Sequence, residues 1–301
     1  MPNVQKSERP EWLTVVPRSS EALSELKEMF ARLNLHTVCE EAHCPNLYEC
    51  WGGGTATLML MGDVCSRACR FCMVKPGRPN GHLDDFEPEN VAYALSKMNL
   101  SYVVLTSVDR DDLPDGGSKH FARTIRAVRE KCPGMLVEVL IPDFQNDLDS
   151  LKTVVDARPD VIGHNIETTM FLTRRVRDPR AGYWQSLSVL RNVKKLDRRI
   201  FTKSSIMVGL GETEEDVGLA MMHLRNVETD FLTIGQYLRP SPRHLPVVNY
   251  VSPEQFRKYR EMGLRMGFKY VASGPLVRSS YRAGEYYLGS FIRNETPKQS
   301  T

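Results

Sequence analysis

Six of the seven cysteines in this chain fall between Cys39 and Cys72. Three of them lie in Cys65-Ser-Arg-Ala-Cys69-Arg-Phe-Cys72, with three residues and then two between them. A second trio stands just upstream: Cys39, Cys44 and Cys50, separated by four residues and then five. Cysteines placed for packing scatter along a chain, whereas thiolates at short spacing hold soft metals, above all zinc or iron–sulfur clusters. A structural zinc site takes four ligands, commonly as two close pairs, and each trio is one ligand short. His36 or His43 is placed to complete the first trio, so zinc stays open there; the second trio has no histidine downstream before His82. Three thiolates with an open fourth position suit a four-iron cubane whose remaining iron is free to bind something else.

The elements that must carry these cysteines are legible in pattern. With 301 residues, 41% hydrophobic and 26% charged, the chain has the composition of a globular protein with a full core. No apolar run is long enough to span a membrane, and Met1–Arg9 is polar, without a signal-peptide core. The expectation is therefore a reducing, cytoplasmic setting, or an organellar matrix if a transit peptide has been removed. A net charge of +3 gives no case for nucleic acid.

Residues 1–18 read as an irregular arm and Ser20–Leu33 as an amphipathic helix. Gly52-Gly53-Gly54 reads as a turn, because no Lys-Ser/Thr pair follows to make a phosphate loop. From residue 55 short apolar runs alternate with helical stretches. Strands are expected at Ala56–Met61, Tyr102–Val108, Leu136–Ile141, Val161–Ile166, Phe201–Val208 and Phe231–Ile234. Helices are expected at Glu89–Met98, Lys119–Lys131, Leu148–Asp156, Trp184–Leu196, Glu214–Asn226 and Pro253–Met266. Thr213 and Ser252 are placed as N-caps, with Gln255 completing a capping box and Gly267 stopping the last helix. Alternating strand and helix imply a parallel sheet covered by helices. The fold class is α/β, a partial (β/α)6 TIM-type barrel, whose ligands meet the loops after the strand C-termini. The Cys65–Cys72 loop follows the first strand and so lies on that face. Cys132, alone after a helix, reads as a small semi-buried residue.

The spacing Cys65-x3-Cys69-x2-Cys72, with Phe71 before the last cysteine, resembles the radical S-adenosylmethionine superfamily signature. That resemblance implies a 4Fe–4S cluster whose open iron chelates the methionine moiety, and a 5′-deoxyadenosyl radical made by carbon–sulfur cleavage. Cys39-x4-Cys44-x5-Cys50, His36-Thr-Val-Cys-Glu-Glu-Ala, Leu105–Gly117, His164-Asn-Ile-Glu-Thr168 and Gly274-Pro-Leu-Val-Arg-Ser-Ser-Tyr281 narrow it to the lipoyl synthase family, over about residues 20–290. Membership would imply insertion of sulfur at the sixth and eighth carbons of a protein-bound N6-octanoyl-lysine. It implies two 4Fe–4S clusters: one on Cys65, Cys69 and Cys72 that makes the radical, and an auxiliary one on Cys39, Cys44 and Cys50 that gives up its sulfide. Ser280 of the terminal motif would be the fourth auxiliary ligand. An alkoxide matches iron less well than thiolate, which makes that corner the labile one.

The same resemblance divides the chain into an N-terminal extension (1–54), the barrel (55–272) and a C-terminal extension (273–301). Ser107 and Asp109 follow the second strand, where the superfamily binds the methionine moiety. Asn165 and Glu167 end another strand and are candidates for the ribose hydroxyls or amino group. Phe71 would offer backbone groups to adenine. Ser205–Glu212 resembles an adenine-side motif, departing from it at Ser205 and Met207. Lys203 lies on a strand pattern, where burying it unpaired is costly; a cofactor or substrate contact and a salt bridge are both open.

The implied partners are an octanoylated lipoyl carrier domain (2-oxoacid dehydrogenase E2 or glycine cleavage H protein), an electron donor such as ferredoxin or flavodoxin, and an iron–sulfur carrier for cluster repair. Two basic runs, Arg174, Arg175, Arg177, Arg180 and then Arg191, Lys194, Lys195, Arg198, Arg199, are either solvated faces or a docking surface for an acidic carrier. The rival readings are a methylthiotransferase with an auxiliary cluster and a non-catalytic zinc-binding protein.

Overall fold

A computed structural model describes residues 10–13, 21–37, 55–98 and 100–280. Cys39, Cys44, Cys50, Gly52–Gly54 and most of the expected N-terminal arm lie outside the described residues. Among those described, the main sheet has the order β1 (His36–Thr37), β2 (Thr55–Leu60), β5 (Tyr102–Ser107), β6 (Leu136–Leu140), β7 (Val161–Gly163), β8 (Phe201–Val208), β9 (Phe231–Gln236) and β10 (Tyr270–Gly274). From β2 to β10 all neighbours pair in parallel; only β1 is antiparallel to β2. Strand order follows chain order, as in a barrel wound in one direction. A small parallel pair, β3 (Val64–Cys65) with β4 (Lys75–Pro76), flanks the cysteine loop.

Helices follow the strands at Glu87–Lys97, Ser118–Lys131, Leu148–Asp156, Tyr183–Leu196, Glu214–Asn226 and Pro253–Arg265. Their apolar faces and the outward side chains of the sheet form two cores. One is built on Leu58, Val103, Val137 and Ile162. The other is built on Ile206, Leu232, Val217 and Phe256. At Thr213 the capping box is complete: its hydroxyl accepts from Asp216 N (3.1 Å) and Asp216 returns a bond to Thr213 N (3.0 Å). Ser252 accepts from Gln255 N (3.1 Å), but the Gln255 side chain reaches to Glu214 (2.9 Å) and closes no box. Gly267, at φ +91°, ends that helix in the left-handed region that a Cβ disfavours. Cys132 is buried, its Sγ against Ala92 O.

Two differences from expectation affect the site. The chain adds β10, a seventh parallel strand, and the expected 272/273 boundary falls inside it. β7 also stops at Gly163, three residues early. Beyond it Glu167 adopts φ +65° and makes one isolated bridge to Ile206. A left-handed non-glycine residue costs on the order of 1 kcal/mol and is held only where surroundings over-determine it. Here Glu167 N donates to Ser205 O (3.0 Å), and Glu167 O accepts from Met207 N (2.8 Å).

The narrow end of the barrel is closed by ring side chains from strand starts: Phe201 stacks on Phe231, beside Val161 and Tyr270. Just above, Lys203 Nζ bonds both oxygens of Glu138 (2.8 and 3.0 Å), and Tyr102 Oη donates to the same carboxylate at 2.6 Å. All three are buried.

Candidate active site

The strand C-termini open on one cavity of about 380 Å³. Cys65, Cys69, Phe71, Cys72, Ser107, Asp109, Asn165, Glu167, Ser205, Met207 and Ser280 all line it, although they come from five separate parts of the chain. Ser280 arrives because β9 carries Gly235 one residue before its end. A Cβ there would stand 2.0 Å from Val277 O, so only glycine lets the segment after β10 fold across the strand. Lys203 is absent from the lining, and its salt bridge with Glu138 is the alternative that the structure realises. Its assignment as a cofactor contact is corrected accordingly: it sits at the third position of β8, nearer the closed end.

Residues that the sequence did not mark for this role hold the cysteine loop. Arg67, between Cys65 and Cys69, is 4% exposed and grips two carboxylates in bidentate fashion: Asp111 at 2.8 Å twice and Asp143 at 2.7 Å twice. Such fork-to-fork pairs fix orientation as well as charge. Asp143 opens a run of left-handed residues, Phe144–Asn146, and accepts from Gln145 N (2.9 Å). Asp178 accepts from Ala68 N (2.9 Å), and its own N–H points at Cys69 Sγ (3.3 Å). Arg180 joins Asp178, Asp111 and Ser66 O. On the far side His244 Nε2–H donates to Cys72 O (2.9 Å). The loop is thus tied to the turns after β5, β6, β7 and β9 by the chain's own side chains.

The electrostatics suit a cationic occupant. Burial, with Asp109 and the other thiols nearby, pushes the Cys65 thiol up to about 11; burial lifts Cys69 to about 11 and Cys72 to about 12. Three desolvated thiols facing one another become thiolates when metal replaces their protons. Burial above all, against the pull of Arg67, raises the Asp109 carboxyl to about 6. Burial likewise raises Glu167, whose Oε1 accepts from Asn165 Nδ2 at 3.0 Å. Arg177 is buried in the wall, and its Nε has no partner among the described residues; neither has Ser107 Oγ. Unpaired buried donors are rare and mark places where a ligand completes the bonding. Among the described residues no three Cys, His, Asp or Glu side chains converge as they would around one metal ion. A cubane, by contrast, spreads its thiolates over separate irons. Three free thiols, orphan donors and an apolar wall (Val108, Leu140, Ile141, Pro142, Leu238) therefore fit a 4Fe–4S cluster with an organic ligand beside it.

Both basic runs are corrected in part. Arg177 belongs to the cavity and Arg180 to the loop brace. Lys194 is buried against Asp230, while Arg198 pairs with Glu228 and Arg199 with Asp197, all at the closed end of the barrel. Arg174, Arg175 and Arg180 of the first run are exposed; Arg180 is paired with Asp178 and Asp111, whereas Arg174 and Arg175 lie near the mouth, where Arg70 bonds Arg175 O.

Comparison with known proteins agrees with this geometry. The Radical SAM superfamily model matches residues 59–224, which makes the chain a radical S-adenosylmethionine enzyme in class. The solved structure of methylornithine synthase (PylB) superposes with a TM-score of 0.55 at 13% identity, covering 94% of this chain and 91% of that one; at that identity the likeness is of fold. The lipoyl synthase of Anaeromyxobacter dehalogenans is 56% identical over 290 residues, 96% of this chain and 98% of that protein. That of Thermus thermophilus is 55% identical over 280 residues, 93% and 87% respectively. The chain belongs to the lipoyl synthase family.

Proposed function

We propose that this enzyme inserts sulfur at the sixth and eighth carbons of an octanoyl chain carried on a lysine of a lipoyl carrier protein. The observation that carries the reading is that Ser280 meets Cys65, Cys69 and Cys72 at one cavity, as a ligand of the second cluster must if sulfur is to reach a carbon activated at the first. Cys65, Cys69 and Cys72 would hold the first 4Fe–4S cluster, and Cys39, Cys44, Cys50 and Ser280 the second. When bound, the first cluster with S-adenosylmethionine supplies a hydrogen-abstracting radical and the second supplies sulfur.

The chain's own residues do the rest. Arg67, Asp111, Asp143 and Asp178 fix the loop. Asn165 and Glu167 offer polar contacts to the nucleoside, Phe71 its backbone to the base, and Ser107 and Asp109 contacts to the amino-acid end. Arg177 offers a buried cation. Val108, Leu140, Ile141 and Pro142 give an unbranched alkyl chain a dry wall. The exposed arginines near the mouth, Arg70, Arg174, Arg175, Arg239 and Arg243, have no ion-pair partner among the described residues and suit an acidic carrier surface. An N-terminal extension over 1–54 and a C-terminal one beyond β10 would close the second cluster around the barrel. A small electron donor would serve the first cluster and an iron–sulfur carrier would rebuild the second, in a reducing, cytoplasmic setting. No helix among the described residues is long and apolar enough to cross a membrane.

The test is an anaerobic reaction with an octanoyl-lysine peptide, S-adenosylmethionine and a strong reductant, read by mass spectrometry. The expected product carries two added sulfur atoms and no added methyl, with 5′-deoxyadenosine formed. A methylthiolated product would move the chain to the methylthiotransferase reading, and a colourless zinc protein would end the radical one.

A further inference from the structure

One chain of buried hydrogen bonds behind the cavity has no role in the reading above. His164 follows β7, 4% exposed, with Nδ1 2.9 Å from Ile141 O. A carbonyl only accepts, so Nδ1 carries the proton. Burial, reinforced by the charge of Arg177, pushes His164 down to about 4, so the ring is neutral near pH 7 and has only one N–H. Nε2 is therefore an acceptor, and it takes the hydroxyl proton of Ser186 at 2.9 Å. Ser186 is fully buried, and its oxygen in turn accepts from Arg177 Nη1 at 2.8 Å. A carbonyl at one end and a permanent cation at the other fix the direction of every bond between them.

The consequence falls on Arg177. One edge of its guanidinium is held by Ser186, with Ile166 O at 3.4 Å, and its Nε is left without a partner among the described residues, in the cavity wall. Glu167 and Asp109 lie close enough to feel its charge, but neither bonds it. A guanidinium anchored on one side with a vacant donor recognises an anion of fixed orientation. The anionic group of S-adenosylmethionine is its carboxylate. We propose that His164 and Ser186 are positioning residues that aim Arg177 at that carboxylate. This rests on the cavity being the S-adenosylmethionine site.

Two substitutions at one position separate the relay from simple packing. His164→Asn keeps a donor for Ile141 O and leaves nothing at the Nε2 position. His164→Gln puts a carbonyl near the Nε2 position, where Ser186 can still donate, and loses the Ile141 bond. Ser186→Ala removes the middle link. Dissociation constants for S-adenosylmethionine and for its decarboxylated analogue are measured on each anaerobic holoenzyme by calorimetry. Ser186→Ala and His164→Asn bind S-adenosylmethionine about tenfold more weakly, the scale of one charge-assisted hydrogen bond. Their affinity for the decarboxylated analogue stays within about twofold, which also shows that the pocket is folded, and His164→Gln keeps most of the discrimination. Equal weakening toward both ligands, or no weakening, overturns the relay. Arg177→Gln separates the two levels: if it loses discrimination while Ser186→Ala does not, the relay fails and the cofactor site stands. If Arg177→Gln retains full discrimination, the carboxylate assignment fails and takes the relay with it.

Discussion

Cys69→Ala eliminates cleavage of S-adenosylmethionine by this enzyme. The protein should come from anaerobic purification with about half its iron, and 5′-deoxyadenosine should fall by far more than a hundredfold, since even partners outside the ligand shell change metal-site activity by about 10- to 100-fold. The reason lies in how the loop is built. Cys69 stands between Arg67, which grips Asp111 and Asp143, and Arg70, whose N–H bonds Val176 O at 2.9 Å. Because those braces involve neither the thiol nor the metal, the loop keeps its course when the thiolate is lost. The variant should therefore stay folded, with an unaltered far-ultraviolet spectrum and melting point. An iron content and product yield equal to wild type would remove Cys69 from the ligand set. A collapsed melting point would show that the cluster, and not the arginine clamp, holds the loop.

Lys203→Met should destabilise the fold by about 3–5 kcal/mol, because it leaves Glu138 buried with its charge unpaired. The pair is 4% and 2% exposed at its side chains, and among the described residues Glu138 has only Lys203 and Tyr102 to satisfy it. Replacing all three with apolar residues, Lys203→Met with Glu138→Leu and Tyr102→Phe, removes the buried charge altogether and should return most of the loss. Urea unfolding of the single and triple variants measures this. The triple variant also tests the position of Lys203. Because the side chain points to the closed end of the barrel, S-adenosylmethionine should bind the triple variant as it binds wild type. A stable triple variant with weakened cofactor binding would return Lys203 to the site.

Lys203 also shows what sequence pattern leaves out. Its strand was plain from the run Phe201–Val208, and burial of a lysine there demanded a partner, but nothing local names a glutamate on the strand two places away in the sheet. Long-range pairing is a property of register, where Lys203 faces Gly163 and Glu138 faces Val161 across β7. Arg177 failed for a related reason. In the run Arg174–Arg180 it reads as one more surface charge, and only the short turn Thr173–Val176 rotates it inward while leaving Arg174 and Arg175 outside. Strand β10 was missed because Tyr-Val-Ala-Ser-Gly is weakly apolar; as an edge strand it buries only Val271. By contrast, Leu148–Asp156 and Glu214–Asn226 matched to the residue, each started by a side-chain cap and carrying a clear apolar face. The cysteine motif and the polar residues at strand ends were legible because a parallel barrel sends its strand C-termini to one face. Which of those polar groups are braced and which are free required the fold.

The central claim is that two iron clusters divide the work, one starting the reaction and the other supplying the sulfur. The most direct measurement compares wild type with the triple variant Cys39→Ala, Cys44→Ala, Cys50→Ala in one anaerobic reaction, quantifying 5′-deoxyadenosine and the mass of the octanoyl-lysine peptide. The account predicts that the triple variant still cleaves S-adenosylmethionine but leaves the peptide without added sulfur. A triple variant that yields the fully sulfur-bearing peptide would contradict it.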